Sequence, residues 1–155
     1  MYEGLSWKTG LKLEKYHEGS KFPFEVITRE GNMALNAGMN MIWALVVGAT
    51  NTIYGTTQAK MAVGNATTAA NATQTALQAT AGGQATVAMV ANYPTSKGET
   101  AKMYWKGEFA TNIANFAWEE WAITNGVLLN RKVESLGTKS GGTWSLESYL
   151  QLQNA

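Results

Sequence analysis

Large apolar residues recur along this chain with two different periods, and the change of period divides it. Over Asn32–Val47, Leu35, Met39, Ile42, Trp43 and Val46 fall at i, i+4, i+7, i+8 and i+11, which predicts a helix with one apolar stripe. Asn32 is placed to cap its start and Gly48 to end it. From Gly83 onward a period of two takes over. Ala85–Val90 reads as a strand, closed by a turn at Tyr93–Gly98. Thr100–Phe109 sets Met103, Trp105, Gly107 and Phe109 on one face and Tyr104, Lys106 and Glu108 on the other. Phe116–Ile123, Val127–Val133 and Thr143–Leu152 follow, with turn signals at Asn125-Gly126 and Gly141-Gly142. In the last of them Trp144, Leu146, Leu150 and Leu152 share a face, while Ser145, Glu147, Tyr149 and Gln151 point away. Trp118 and Trp121 stand three apart, so much of the buried aromatic area gathers around these strands.

Short strands at this spacing predict an antiparallel β-sandwich, jelly-roll-like, and the helix makes the class β-rich α+β. Residues 31–155 then form a single sandwich domain with one main helix. Residues 1–30 carry a weaker pattern. Leu11 and Leu13 alternate with Lys12 and Glu14, which predicts a strand over Gly10–Glu18; Pro23 demotes Phe22–Phe24 to an edge, and Val26-Ile27 resumes the strand. This segment reads either as a first hairpin or as an extended arm that orders on a neighbouring subunit. Between them, Ile53–Tyr54 and Lys60–Gly64 read as short strands. Asn65–Ala81 is almost wholly Ala, Thr, Asn and Gln, with room for a short helix at Ala70–Gln78, and is expected to be an ordered surface segment.

The chain of 155 residues is long enough for one domain with a real core. Only 15% of residues are charged, and no charge occurs from Ala62 to Asn92. Much uncharged surface on a small domain is often covered by a partner. A net charge of +1 without a basic run argues against nucleic acid and against an anionic membrane as partners. There is no cysteine, so disulfide, thiolate and cysteine-based zinc chemistry are excluded. The N-terminus lacks a charged-then-apolar signal pattern, and Met39–Ala49 falls far short of a membrane span, the pattern of a soluble protein.

Candidate chemistry is sparse. His17 is the single histidine and sits between Tyr16 and Glu18 in a charged strand, where a solvated imidazole is expected. Glu119 and Glu120 suggest the paired carboxylates of a glycosidase. Adjacent strand residues point to opposite faces, however, so the two cannot flank one bond, and at most one is buried. Lys60–Asn65 lacks the Gly-Lys-Ser/Thr of a phosphate loop. Trp105, Trp118, Trp121 and Tyr104 could offer a sugar platform, but strand aromatics belong more often to a core. Asn65-Ala66-Thr67 and Asn71-Ala72-Thr73 match the glycosylation pattern with nothing else pointing to secretion. No catalytic, cofactor or metal residue is expected, and the protein reads as non-enzymatic.

Three segments resemble a family of small virion proteins of tailed bacteriophages: REGNMALNAGMN (residues 29–40), MAVGNATTAA continuing to QTAL (residues 61–77), and NFAWEEW through LNRKV to LGTK (residues 115–139). That family usually has Val-Gly-Asp-Ser in the second segment and Gly-Val-Phe-Asn-Ala after the tryptophan; here Asn65 stands for the acidic residue and Ala122-Ile123-Thr124-Asn125 for the second motif. The resemblance covers about two-thirds of the chain and its motifs are structural, so it transfers no active site. It implies a place in the virion, most of all on the capsid exterior, for a protein made in the host cytoplasm. The expected function is capsid decoration: binding the major capsid protein at capsomer junctions, as a homotrimer. The alternatives are a tail adaptor or fibre-base component, and a carbohydrate-binding module for the host envelope. Expected contacts are Leu5, Trp7, Phe22 and Phe24 near the N-terminus, and Asn65, Thr67, Gln74, Leu77 and Gln84 in and after the uncharged segment.

Overall fold

The structure is a computed structural model that describes residues 4–154. These form strands β1 (Leu5–Tyr16), β2 (Glu25–Glu30), β3 (Met33–Ala34), β4 (Lys60–Gly64), β5 (Gln84–Ala88), β6 (Lys102–Phe109), β7 (Ala117–Thr124), β8 (Asn130–Thr138) and β9 (Thr143–Asn154), with one α-helix, α1 (Asn36–Val46). A four-stranded antiparallel sheet, β2-β1-β9-β6, packs on a five-stranded one, β3-β8-β7-β4-β5. The fold is the β-sandwich with one main helix that the alternating pattern predicts.

The core is built from the inward residues of both sheets. Leu11, Leu13, Trp105, Phe109, Trp144, Leu146 and Leu150 come from the four-stranded sheet, and Met61, Val63, Trp118, Trp121, Ile123 and Leu136 from the other. Phe109, Trp118 and Trp144 meet edge to face, with ring centroids 4.7 and 4.8 Å apart, the arrangement that aromatic quadrupoles favour. Trp118 and Trp121 are both fully buried in this core although they stand an odd number of positions apart, with two residues between them. The pairing of β7 with β8 shifts register between Trp118 and Glu120, and such a bulge changes which residues face inward.

On one side the sandwich is closed: Met89 bridges to Gly107, and Val90 N–H donates to Lys106 O at 2.9 Å, so β5 runs into β6. On the other side β2 faces β3 and β8 through side chains. Lys132 Nζ donates to Glu30 O at 2.5 Å and Arg29 lies 3.7 Å from Glu134. β3 pairs only with Asn130 and Arg131 of β8. A groove opens at this edge.

Residues 5–30 form the hairpin β1–β2, and β1 is paired along its whole length with β9 as well. It is an interior strand of the four-stranded sheet and not a detached arm. It starts five residues before the predicted strand. At its far end the inward Lys15 interrupts the apolar alternation; its ammonium is 2.5 Å from Glu25 and 4.4 Å from the Trp144 ring centre.

The helix is shorter than Asn32–Val47, and its first turn is replaced by strand. Asn32 accepts a hydrogen bond from Trp7 Nε1 at 3.2 Å instead of capping. Met33 and Ala34 pair with β8, Leu35 N–H donates to Leu129 O, and the helix begins at Asn36. Gly48 ends it with φ of 70°, as a left-handed C′ residue does. The buried face is also turned from the predicted stripe. Gly38 is buried, and a Cβ there would lie 2.5 Å from Leu129 Cα; Met41, Ile42 and Leu45 reach the main core. Trp43 and Val46 of the stripe point to solvent. Neither Ile53–Tyr54 nor Ala70–Gln78 takes the predicted strand or helix: both lie in irregular but hydrogen-bonded loops.

Candidate interaction surfaces

The segment 65–80 has no regular structure of its own, so its position depends on what holds it. Glu120 does most of this. Its carboxylate lies on the outer face of the five-stranded sheet, fully buried, and accepts Gln78 N–H at 3.1 Å and Ala79 N–H at 2.8 Å. Arg131 is equally buried and donates from Nε to Glu120 at 2.6 Å, from one terminal nitrogen to Gln74 Oε1 at 2.8 Å, and from the other to Thr68 O at 2.9 Å. A charge pair withdrawn from water needs its remaining donors and acceptors satisfied, and the segment supplies them from its backbone and from the Gln74 side chain. Beneath it Leu77 joins Leu35, Ala62, Ala122 and Leu128 in a second small core.

Lys139 plays a comparable part at the β6–β7 connection. Its buried ammonium donates to Ala110 O, Thr111 O and Asn115 Oδ1 at 2.8–3.2 Å. Burial holds its pKa below the ordinary lysine range.

The two sides of the sandwich differ in chemistry. Between Glu30 and Lys97 the single charged residue is Lys60. This run supplies β3, α1, β4, the 65–80 segment and β5. Within it Trp43 and Val46 on the last turn of α1 and Val47 just after it, at i, i+3 and i+4, are 63%, 68% and 72% exposed. The outer face of the four-stranded sheet is the opposite. Register places Lys12, Glu147 and Lys106 in one cross-strand row and Glu14, Ser145 and Glu108 in the next. Glu147 is 2.8 Å from Lys97 and also accepts the Tyr93 hydroxyl. Lys97 and Lys102 lie over the Tyr104 ring at 4.1 and 4.9 Å, and the Tyr104 hydroxyl donates to Glu99. These pairs raise the pKa of Lys12 through its hydrogen bond to Glu14 and that of Lys102 through its contacts with Tyr104 and Glu99. That face is laced with internal ion pairs and well suited to water.

The expected contact residues separate into three groups. Phe22 and Phe24 sit at the tip of the β1–β2 hairpin, 82% and 52% exposed, and Leu5 is exposed at its other end. Asn65, Thr67 and Gln84 are at the surface. Gln74 and Leu77 are not free contacts: Gln74 is committed to Arg131, and Leu77 is buried. Trp7 and Thr67, from the two expected regions, come together along the groove beside β3, about 880 Å³, which Met33, Ala34, Ala69, Ala70 and Val133 also line.

Trp105, Trp118 and Trp121 are buried and offer no sugar platform. Glu119 hydrogen-bonds Ser135 on the surface while Glu120 is inside, as opposite faces of one strand require. His17 is exposed and stacks on Phe24 with 4.2 Å between ring centres. Among the described residues no group of three His, Cys, Asp or Glu is placed to hold a metal ion, and no helix is long and apolar enough to cross a membrane. Sequence reasoning missed the Arg131 clamp and the exposed end of α1. Arg131 was visible only as a polar residue within the predicted strand Val127–Val133, and its buried partner lies eleven residues away.

No protein-family model, no curated protein and no solved structure matches the chain.

Proposed function

We propose that this chain is a capsid decoration protein of a tailed bacteriophage, one that binds the outer surface of the major capsid lattice at capsomer junctions. The observation that carries the reading is the division of the sandwich into a charged side and an uncharged one with an exposed apolar helix end. The run 31–96, charged only at Lys60, would face the lattice, with Trp43 and Val46 of α1 and the adjoining Val47 as anchors, and the ion-paired sheet would face solvent. The resemblance of three segments to phage virion proteins supports the same reading. Contacts that form only on the assembled shell stabilise it by mass action, and lattice symmetry repeats the gain at every junction.

Quantitative mass spectrometry of purified virions tests this against the major capsid protein. A copy number close to that of the capsid subunit is the expected result. A ratio of a few per cent would place the chain at the tail or a single vertex and overturn the decoration reading.

A further inference from the structure

The tip of the β1–β2 hairpin is an ordered turn that holds a large apolar side chain away from the molecule. Ser20 N–H donates to His17 O at 3.0 Å, and the Ser20 hydroxyl donates to Phe22 O at 2.8 Å. Phe22 N–H donates back to Ser20 Oγ at 3.2 Å, and Phe24 N–H donates to Lys15 O at 2.8 Å. Pro23 fixes one more backbone angle, and the Phe24 ring is held on His17. The backbone under Phe22 is therefore set, while its ring is the most exposed large apolar side chain among the described residues, at 82%. A knob fixed in advance loses little freedom when it docks.

The groove beside β3 lies at the other end of the same hairpin. Trp7 and Gly31 line it, whereas Lys15 and Glu25 form the ladder pair next to the tip. The ladder runs from Gly10↔Glu30 to Lys15↔Glu25, five steps or about 17 Å. With β1 clamped by β9 along that length, the tip cannot fold back into its own groove. Knob and groove fit only between two molecules.

We propose that copies of this chain bind head to tail, the Phe22-Pro23-Phe24 tip of one seated in the β3 groove of the next. The groove's lining is mainly apolar, and its volume of about 880 Å³ admits two phenylalanine side chains. Charge agrees at the rim. Lys21 adjoins the knob, and Glu30 lines the groove together with Arg131 and Lys132; those two cations are paired with Glu120 and Glu134, whereas among the described residues neither Lys21 nor the Glu30 carboxylate has an ion-pair partner. The contact is heterologous, so it closes into a ring when the rotation between copies permits. Phe22 and the exposed half of Phe24 bring less than about 500 Å², short of the roughly 800 Å² per partner of a standard interface, so weak, concentration-dependent association is expected. This proposal stands apart from the capsid reading and needs no virion.

Sedimentation velocity of the full chain from about 5 to 200 µM, a range that brackets micromolar association, tests it with three variants. Phe22→Ser removes the knob, and Met33→Glu charges the groove. Ala70→Trp fills the groove and serves as the second groove variant; circular dichroism checks that each is folded. The wild type is expected to self-associate, and the knob and groove variants to be monomeric alone. An equimolar mixture of Phe22→Ser with a folded groove variant has one intact knob and one intact groove, so it forms a heterodimer and stops there. A monomeric wild type, association unchanged by Phe22→Ser, or a mixture that stays monomeric would overturn the proposal. The last result would assign any wild-type association to a different, two-fold contact.

Discussion

Glu120 is the side chain on which the uncharged segment hangs. It is fully buried against an equally buried Arg131 and accepts two backbone N–H groups besides. Exchanging it for glutamine removes the charge that Arg131 faces and weakens both backbone contacts. Loss of one partner of a buried pair costs about 3–5 kcal/mol, a large share of a small domain's stability. Urea unfolding of Glu120→Gln should show a loss in that range, and a change under about 1 kcal/mol would mean that the segment is held by other contacts. Half of this was legible in the sequence: two adjacent glutamates on a strand cannot both be inside. Which one is inside was not, because the segment covering it has no apolar period. Tyr54 gives a second residue-level test. Burial pushes its phenol up to about 12, while the hydroxyl donates to Val127 O at 3.1 Å. Between the ordinary value near 10 and 12 the folded chain keeps a proton that the unfolded chain has lost, so stability falls as pH rises there. The contribution is complete below pH 10 and disappears through 12. Tyr54→Phe lacks the hydroxyl bond, worth about 1 kcal/mol, and lacks this pH dependence. The stability advantage of the wild type over the variant, read from urea midpoints at pH 9 and 11.5, should shrink or reverse; an unchanged gap would remove burial as the cause.

Among the elements, α1 shows most clearly what an apolar count can and cannot locate. The count found the helix and its end at Gly48. It misplaced the buried face because the closest approach to the sheet is made at Gly38, a residue with no side chain to register as apolar. The backbone of Leu128 and Leu129 lies where a Cβ would be, with their oxygens 2.7 and 2.6 Å from it. Gly38 thus sets the depth at which Met41, Ile42 and Leu45 meet the core. A branched side chain there must push the helix outward, an overpacking that costs about 1–3 kcal/mol. Gly38→Val should lower the urea midpoint accordingly and make the far-UV spectrum lose helical signal first; equal stability would mean that the helix shifts along the sheet without penalty. β1 is a complementary case. Its alternation was readable at Leu11 and Leu13, but the inward Lys15 and the polar Thr9 concealed that the strand lies inside the sheet.

At the scale of the molecule, the arrangement of charge matters more than its total. A net charge of +1 says little, yet the four-stranded sheet carries ion-paired rows on its outer face and the run from Gly31 to Ser96 carries only Lys60. An uncharged surface that a protein keeps exposed gains little in water and much under a partner. Trp43 and Val46 are the anchors this division suggests, since neither contributes to the core that holds α1 in place. Converting both to aspartate places two charges on the end of the helix without emptying any packed site. Negative charges at a helix C-terminus oppose its dipole by about 0.3–1 kcal/mol each, so the double variant should lose about 1–2 kcal/mol and still fold. On the decoration reading it nevertheless fails to co-sediment with capsids stripped of the protein, whereas Lys106→Glu on the charged face binds as before. Binding lost by Lys106→Glu and kept by the aspartate variant would invert the orientation and make the ion-paired sheet the docking side.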